Sequence, residues 1–138
     1  MNAPHLLEIK KYFQGIDAVK FAYLFGSCAR GEEGPLSDID LAIYLDNRLD
    51  LFAARLRFME QLIRLLKGQP FDLVVLNNAP ITLQYEVIRG GKVIKEDKKR
   101  RIPFETEVLQ VYFDTEPLRA VHVQKLKGSF KKECGLGQ

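Results

Sequence analysis

Three carboxylates and a Gly-Ser pair carry the chemistry available to this chain. Gly26 and Ser27 close a compact apolar run, Phe21 to Phe25, and after ten further residues come Asp38, Ile39 and Asp40. A Gly-Ser pair at the end of a strand suits a phosphate. Side chains alternate along a strand, so Asp38 and Asp40 project from one face, while Ile39, Leu41, Ile43 and Leu45 take the other and read as core. Two carboxylates this close repel each other unless a cation lies between them, and aspartate is depleted in strands. The pair therefore reads as a divalent-metal site. Asp72 sits at the start of a second apolar run, Phe71-Asp72-Leu73-Val74-Val75-Leu76, which reads as a buried strand. If that strand lies beside the first, three carboxylates converge, enough to hold two magnesium ions. Magnesium takes a few carboxylates together with waters and substrate phosphates. Two such ions about 4 Å apart stabilise both the attacking and the leaving oxygen in phosphoryl chemistry.

The elements that must position these residues follow from pattern. Leu6, Leu7, Ile9 and Phe13 at roughly helical spacing predict a helix over 4–14. Phe21–Phe25 is the first strand, a helical turn over Ser27 to Arg30 would aim backbone N–H groups at an anion, and Glu32 to Pro35 is a turn. Asp38–Leu45 is the second strand. A helix from about Leu51 to Lys67 buries one stripe of Leu51, Phe52, Leu56, Met59, Leu62, Ile63 and Leu66, and Gly68 stops it. Phe71–Leu76 is the third strand. Pro80 and Gly90-Gly91 bracket a further helix, Lys92–Lys95 is a short edge strand, and 104–127 is one or two helices with Pro117 marking a break or restart. The run Lys98-Lys99-Arg100-Arg101 reads as a solvated linker. The last ten residues read as frayed.

Composition sets the class. The chain has 138 residues, 46% of them hydrophobic and 28% charged, as in an ordinary globular domain with a single core. No stretch approaches the roughly 18 apolar residues of a membrane-spanning helix, and no secretion signal is evident at the amino terminus. Cys28 and Cys134 make no disulfide framework, so a reduced, cytoplasmic setting is expected. The net charge of +3 is modest; basic residues cluster at 92–101 and again at 125–132, and no aromatic residue interleaves the Lys98–Arg101 run as on a nucleic-acid surface. Direct nucleic-acid binding is not expected; an acidic protein partner suits them better.

The pattern Gly-Ser, ten residues, Asp-x-Asp and a third Asp on a later strand resembles the nucleotidyltransferase superfold shared with DNA polymerase beta. Within it, "GSCARG", "SDIDLAI" and "YEVIRGGKVIKED" resemble the minimal nucleotidyltransferases, and among those the MntA-type antitoxins that accompany HEPN-domain (HepT-type) toxins. The resemblance covers roughly residues 5 to 118. It implies an α/β (α+β) nucleotidyltransferase core, a small mixed β-sheet flanked by helices, spanning 1–118, with a helical extension that leads into a basic tail over 119–138.

The resemblance also implies roles. Asp38 and Asp40 would ligate both magnesium ions; Asp72 would complete the site for the ion that activates the attacking hydroxyl and would serve as its general base. Gly26 would let the backbone approach the β and γ phosphates, with Ser27 donating its hydroxyl and N–H, and Arg30 would clamp the triphosphate. The competing reading of Arg30 is a surface residue beside Glu32 or Glu33, and that of Asp38 a polar cap before a strand. No Gly-Lys-Ser/Thr follows Gly26, so this is not a motor-type ATP loop. Cys28 reads as space-filling, and His5 and His122 as structural or surface residues.

The expected reaction is AMP transfer from Mg·ATP with release of pyrophosphate. By resemblance the acceptor is a tyrosine hydroxyl of a HEPN ribonuclease toxin, and capping it would silence the toxin. Two alternatives stay open: an antitoxin that masks its partner without catalysis, and a nucleotidyltransferase acting on a small molecule or an RNA end. Relatives of the latter kind generally carry an extra carboxy-terminal substrate domain, for which the roughly 60 residues after Asp72 leave little room.

Overall fold

The computed structural model describes residues 3–26 and 38–121. Helix α1 (Ala3–Gln14) leads into β1 (Val19–Phe25), and β2 (Ile39–Leu45) returns antiparallel to it. Helix α2 (Leu51–Leu66) crosses over to β3 (Phe71–Val75), which runs parallel to β2 as such a crossover requires. A 3-10 turn, Leu76–Asn78, precedes α3 (Ile81–Gly90); β4 (Lys92–Lys95) then adds antiparallel to β1, and α4 (Lys98–Asp114) follows. The mixed sheet has the order β3-β2-β1-β4. Among the described residues no helix is long and apolar enough to cross a membrane.

Strand alternation divides the core between the two sheet faces. Leu24, Leu41, Ile43, Leu45 and Leu73 face α1 and α2, packing with Ile9, Phe13, Phe58 and Leu62. Phe21, Tyr23 and Ala42 face α3 and α4, packing with Leu76, Val87 and Phe104. Phe21 stacks on Tyr44 with ring centroids 4.8 Å apart, and Phe104 of α4 tilts against both rings at 5.6 and 5.2 Å.

Local chemistry explains the boundaries. Asp50 caps α2, its carboxylate accepting from the Ala53 N–H at 3.2 Å. The helix ends in two left-handed residues, Lys67 (φ 48°) and Gly68 (φ 89°), so the expected glycine stop is present. Lys95 secures the end of α1, its ammonium donating to the carbonyls of Phe13 and Ile16 at 2.7 Å each.

Two expectations need correction. The buried stripe of α2 is Phe58, Leu62 and Leu66; Phe52, Leu56 and Ile63 are 71%, 51% and 59% exposed. Both sets repeat at helical spacing, and the packing against β3 and α1 selects the one, offset around the helix, that includes Phe58. Lys98–Arg101 is the first turn of α4, where the charges are used structurally. Arg101 makes a two-pronged pair with Glu96 at 2.6 and 3.0 Å and donates to Glu105 at 3.0 Å. As expected, helix restarts at Pro117: α4 ends before Thr115, and helix resumes over 116–121 with Pro117 in its first turn, where its missing N–H does no harm.

The Arg101 pair ties α4 to the sheet, because Glu105 also accepts the Tyr23 hydroxyl at 2.5 Å. Burial and the Glu105 carboxylate push the Tyr23 phenol far above its ordinary 10.0, and burial alone pushes Tyr12 up to about 12. A phenol whose folded pKa is raised contributes stability that is complete below its unfolded pKa and is lost as pH rises through the folded value. The contribution of these two phenols to stability in urea should therefore be complete up to about pH 10 and be lost above it. The Tyr23→Phe variant should lose about 1 kcal/mol at neutral pH with its hydrogen bond and show a shallower alkaline decline. An identical decline in that variant would mean that Tyr23 does not drive it.

Candidate active site

The site begins where β1 ends. The Cα of Phe25 is the register partner of Asp40 across the antiparallel pair, and Gly26 then turns the chain with φ +74°, a left-handed conformation that a side chain disfavours. The glycine is needed for a second reason. A Cβ there would stand 2.2 Å from Asp40 Oδ2 and 3.1 Å from its Cγ, so the carboxylate lies directly against the Gly26 backbone.

The parallel pairing of β2 and β3 supplies the third acid. Asp40 and Asp72 are register partners, as are Ile39 and Phe71, which places the two acids side by side on one face. The Ile39 N–H donates to the Pro70 carbonyl at 3.0 Å and fixes this alignment at the strand starts. Asp38 lies one step before β2 and is exposed, whereas Asp40 is half-buried. Asp40 and Asp72 share the sheet face that carries Tyr23 and Ala42, with Asp38 preceding them just outside β2, and the other face is closed by Leu41, Ile43 and Leu73. The backbone register brings Asp72 beside Asp40. Ser27, Cys28 and Arg30, with the expected phosphate turn over 27–30, lie outside the described residues, as does His122.

Among the described residues no three His, Cys, Asp or Glu side chains form a group that could hold a metal ion by themselves. Magnesium takes few protein carboxylates and completes its octahedron with waters and substrate phosphates. The donors are hard carboxylate oxygens, and the left-handed glycine leaves Asp40 room at the strand end; the residues present fit the ion. Asp72 is held by two contacts on one oxygen: the Leu73 N–H donates to Oδ1 at 2.9 Å, and the Arg55 guanidinium lies 3.8 Å from it.

Arg55 was not among the residues singled out by sequence. Its signal is faint but present, since it lies three residues before Phe58 on the buried stripe Phe58, Leu62, Leu66, where a cation needs a reason. A cleft of about 420 Å³ bounded by Lys20, Tyr44, Asp46 and Phe104 opens at the opposite end of β2 and shares no residue with the acid row.

Comparison with known proteins identifies the family and the fold. The family profile described as "Polymerase beta, Nucleotidyltransferase" matches residues 8–100. No curated protein matches the chain. Among solved structures, a chain of a toxin–antitoxin crystal structure with AMP-PNP superposes with a TM-score of 0.76 at 26% identity, covering 88% of this chain and 98% of that one. A chain from the tri-AMPylated Shewanella oneidensis HEPN toxin in complex with MNT antitoxin superposes at 0.72 and 24% identity, covering 92% and 99%. A chain of the toxin–antitoxin MntA–HepT superposes at 0.72 and 24% identity, covering 91% and 99%.

Proposed function

The chain belongs to the polymerase beta-type nucleotidyltransferase family, and from that premise we propose that it transfers AMP from ATP to a hydroxyl of a protein acceptor. The acceptor on this reading is a tyrosine of a HEPN ribonuclease toxin, and the chain is that toxin's antitoxin. The observation that carries the proposal is the acid row itself, Asp40 and Asp72 in register on neighbouring strands with Asp38 beside them and Gly26 beneath Asp40. The choice of nucleotide and acceptor is supported by the relatives, one solved with AMP-PNP and one holding a tri-AMPylated HEPN toxin.

In the proposed reaction the acceptor oxygen attacks the α-phosphorus of ATP, the bond to the bridging oxygen of pyrophosphate breaks, and pyrophosphate leaves with that electron pair. Asp72 takes the hydroxyl proton. Asp38 and Asp40, shared with Asp72, are the residues that would hold magnesium; when bound, it neutralises the phosphates and acidifies the attacking hydroxyl. Gly26 allows the backbone to come close to the phosphates, with Ser27 and Arg30 as the further donors to them. The sheet holds the acids before substrate arrives, so positioning and electrostatics carry the catalysis with no covalent enzyme intermediate.

Intact-mass spectrometry tests the proposal. A HEPN-domain protein from the same genome is incubated with this chain, magnesium and each of the four nucleoside triphosphates in turn. The expected result is a gain of whole AMP units with ATP, absent with an Asp38→Ala/Asp40→Ala double variant. A stable complex without any mass gain would replace transfer by masking. Turnover with an aminoglycoside or an RNA, and none with the HEPN protein, would move the acceptor to another class.

A further inference from the structure

We infer that Arg55 is a positioning residue for the third acid: it reaches round the edge of β3, engages one oxygen of Asp72 and leaves the other for the acid row. β3 is the outermost strand of the sheet, so Asp72 has a neighbouring strand on one side only, and its side chain is 59% exposed. Its register partner on that side is Asp40, a second carboxylate residue. An aspartate so placed needs an anchor on the outer side.

Arg55 provides it from α2, on the far side of the sheet. Its Nε donates to the Leu73 carbonyl at 2.9 Å, which pins the guanidinium to the β3 backbone, and its Nη2 stands 3.8 Å from Asp72 Oδ1. The Leu73 N–H donates to the same Oδ1. Both contacts fall on one oxygen, so Oδ2 is the atom presented for ligation. The planar fork matters, because one group serves both the carbonyl and the carboxylate, which a lysine cannot do with the same geometry. Partners of ligating carboxylates typically change metal affinity or activity by about 10–100-fold when removed.

The inference rests on the reading of Asp72 as a ligand, and the test separates the two. Mn2+ binding is followed by electron paramagnetic resonance in the presence of a non-hydrolysable ATP analogue, with transfer assayed in parallel. Arg55→Met is expected to weaken Mn2+ binding about 10-fold or more and to lower kcat, with the KM for ATP unchanged. Arg55→Lys, which keeps the charge without the fork, is expected to fall between Arg55→Met and wild type. If Arg55→Met fails to fold, Arg55→Lys decides: weakened Mn2+ binding supports the inference, and wild-type binding overturns it. Asp72→Ala is the reference. Loss of Mn2+ in Asp72→Ala with full binding in Arg55→Met overturns the role of Arg55 alone. Full binding and transfer in Asp72→Ala overturn the assignment of Asp72, and the inference with it.

Discussion

Asp38→Ala and Asp40→Ala should each reduce AMP transfer by on the order of 10³-fold or more, since either removes preorganised charge from the point where the transferred phosphoryl group must be stabilised. The fold should survive. Asp38 is exposed, Asp40 half-buried at the start of β2, and neither belongs to the buried clusters, so the core is left intact. A melting transition within about 4 °C of wild type, roughly 1 kcal/mol for a chain of this size, is expected for each. The measurement is steady-state transfer at saturating magnesium and ATP alongside a thermal melt. Near-wild-type transfer from either variant would remove the acid row from the mechanism. Toxin neutralisation read from the same variants separates the two antitoxin readings, because an antitoxin that only masks its partner would still neutralise without the acids.

Gly26→Ala should be nearly as damaging, for a different reason. The left-handed backbone costs a residue with a Cβ about 1–2 kcal/mol, and the new methyl would stand 2.2 Å from Asp40 Oδ2. Either the turn or the carboxylate must move. A displacement on the order of 1 Å at a reacting centre is enough for about a 10²-fold loss of rate, so transfer should fall by about that factor while the protein remains folded. Gly68→Ala is the matched control. Gly68 has φ +89° but nothing within 4 Å of an added Cβ, so that variant should show the backbone cost in its melt and keep its transfer rate. Equal transfer in the two alanine variants would mean that the contact between Gly26 and Asp40 has no catalytic consequence.

The site was legible in sequence to the extent that its residues are local. The sequence puts Asp38 and Asp40 on one face by the two-residue period of a strand, although in the structure β2 begins only at Ile39. Gly26 was legible as a turn glycine, but its contact with Asp40 is a cross-strand relation and appears only once Phe25 and Asp40 are paired. Asp72 was legible as a polar residue opening an apolar strand. That it stands beside Asp40, and not one strand further away, depends on the crossover through α2. Arg55 was missed because the edge it embraces exists only in three dimensions.

The same division runs through the scaffold. Periodicity, glycine stops and prolines placed α1, α3, β4 and all three longer strands close to where they lie, because hydrogen-bonding pattern and chain reversal are properties of neighbouring residues. Periodicity could not choose which apolar stripe of α2 faces inward, since two stripes at similar spacing lie adjacent on the helix and only packing against the sheet distinguishes them. Nor could a run of four cations show that it begins a helix, until Glu96 and Glu105 stood on either side of Arg101. By itself the sequence determined which groups are present and which share a face: an acid pair, a third acid and a strand-end glycine of a nucleotidyltransferase. Tertiary structure alone decided the distances between groups remote in the chain, because those depend on strand order and on the crossover that brings β3 beside β2.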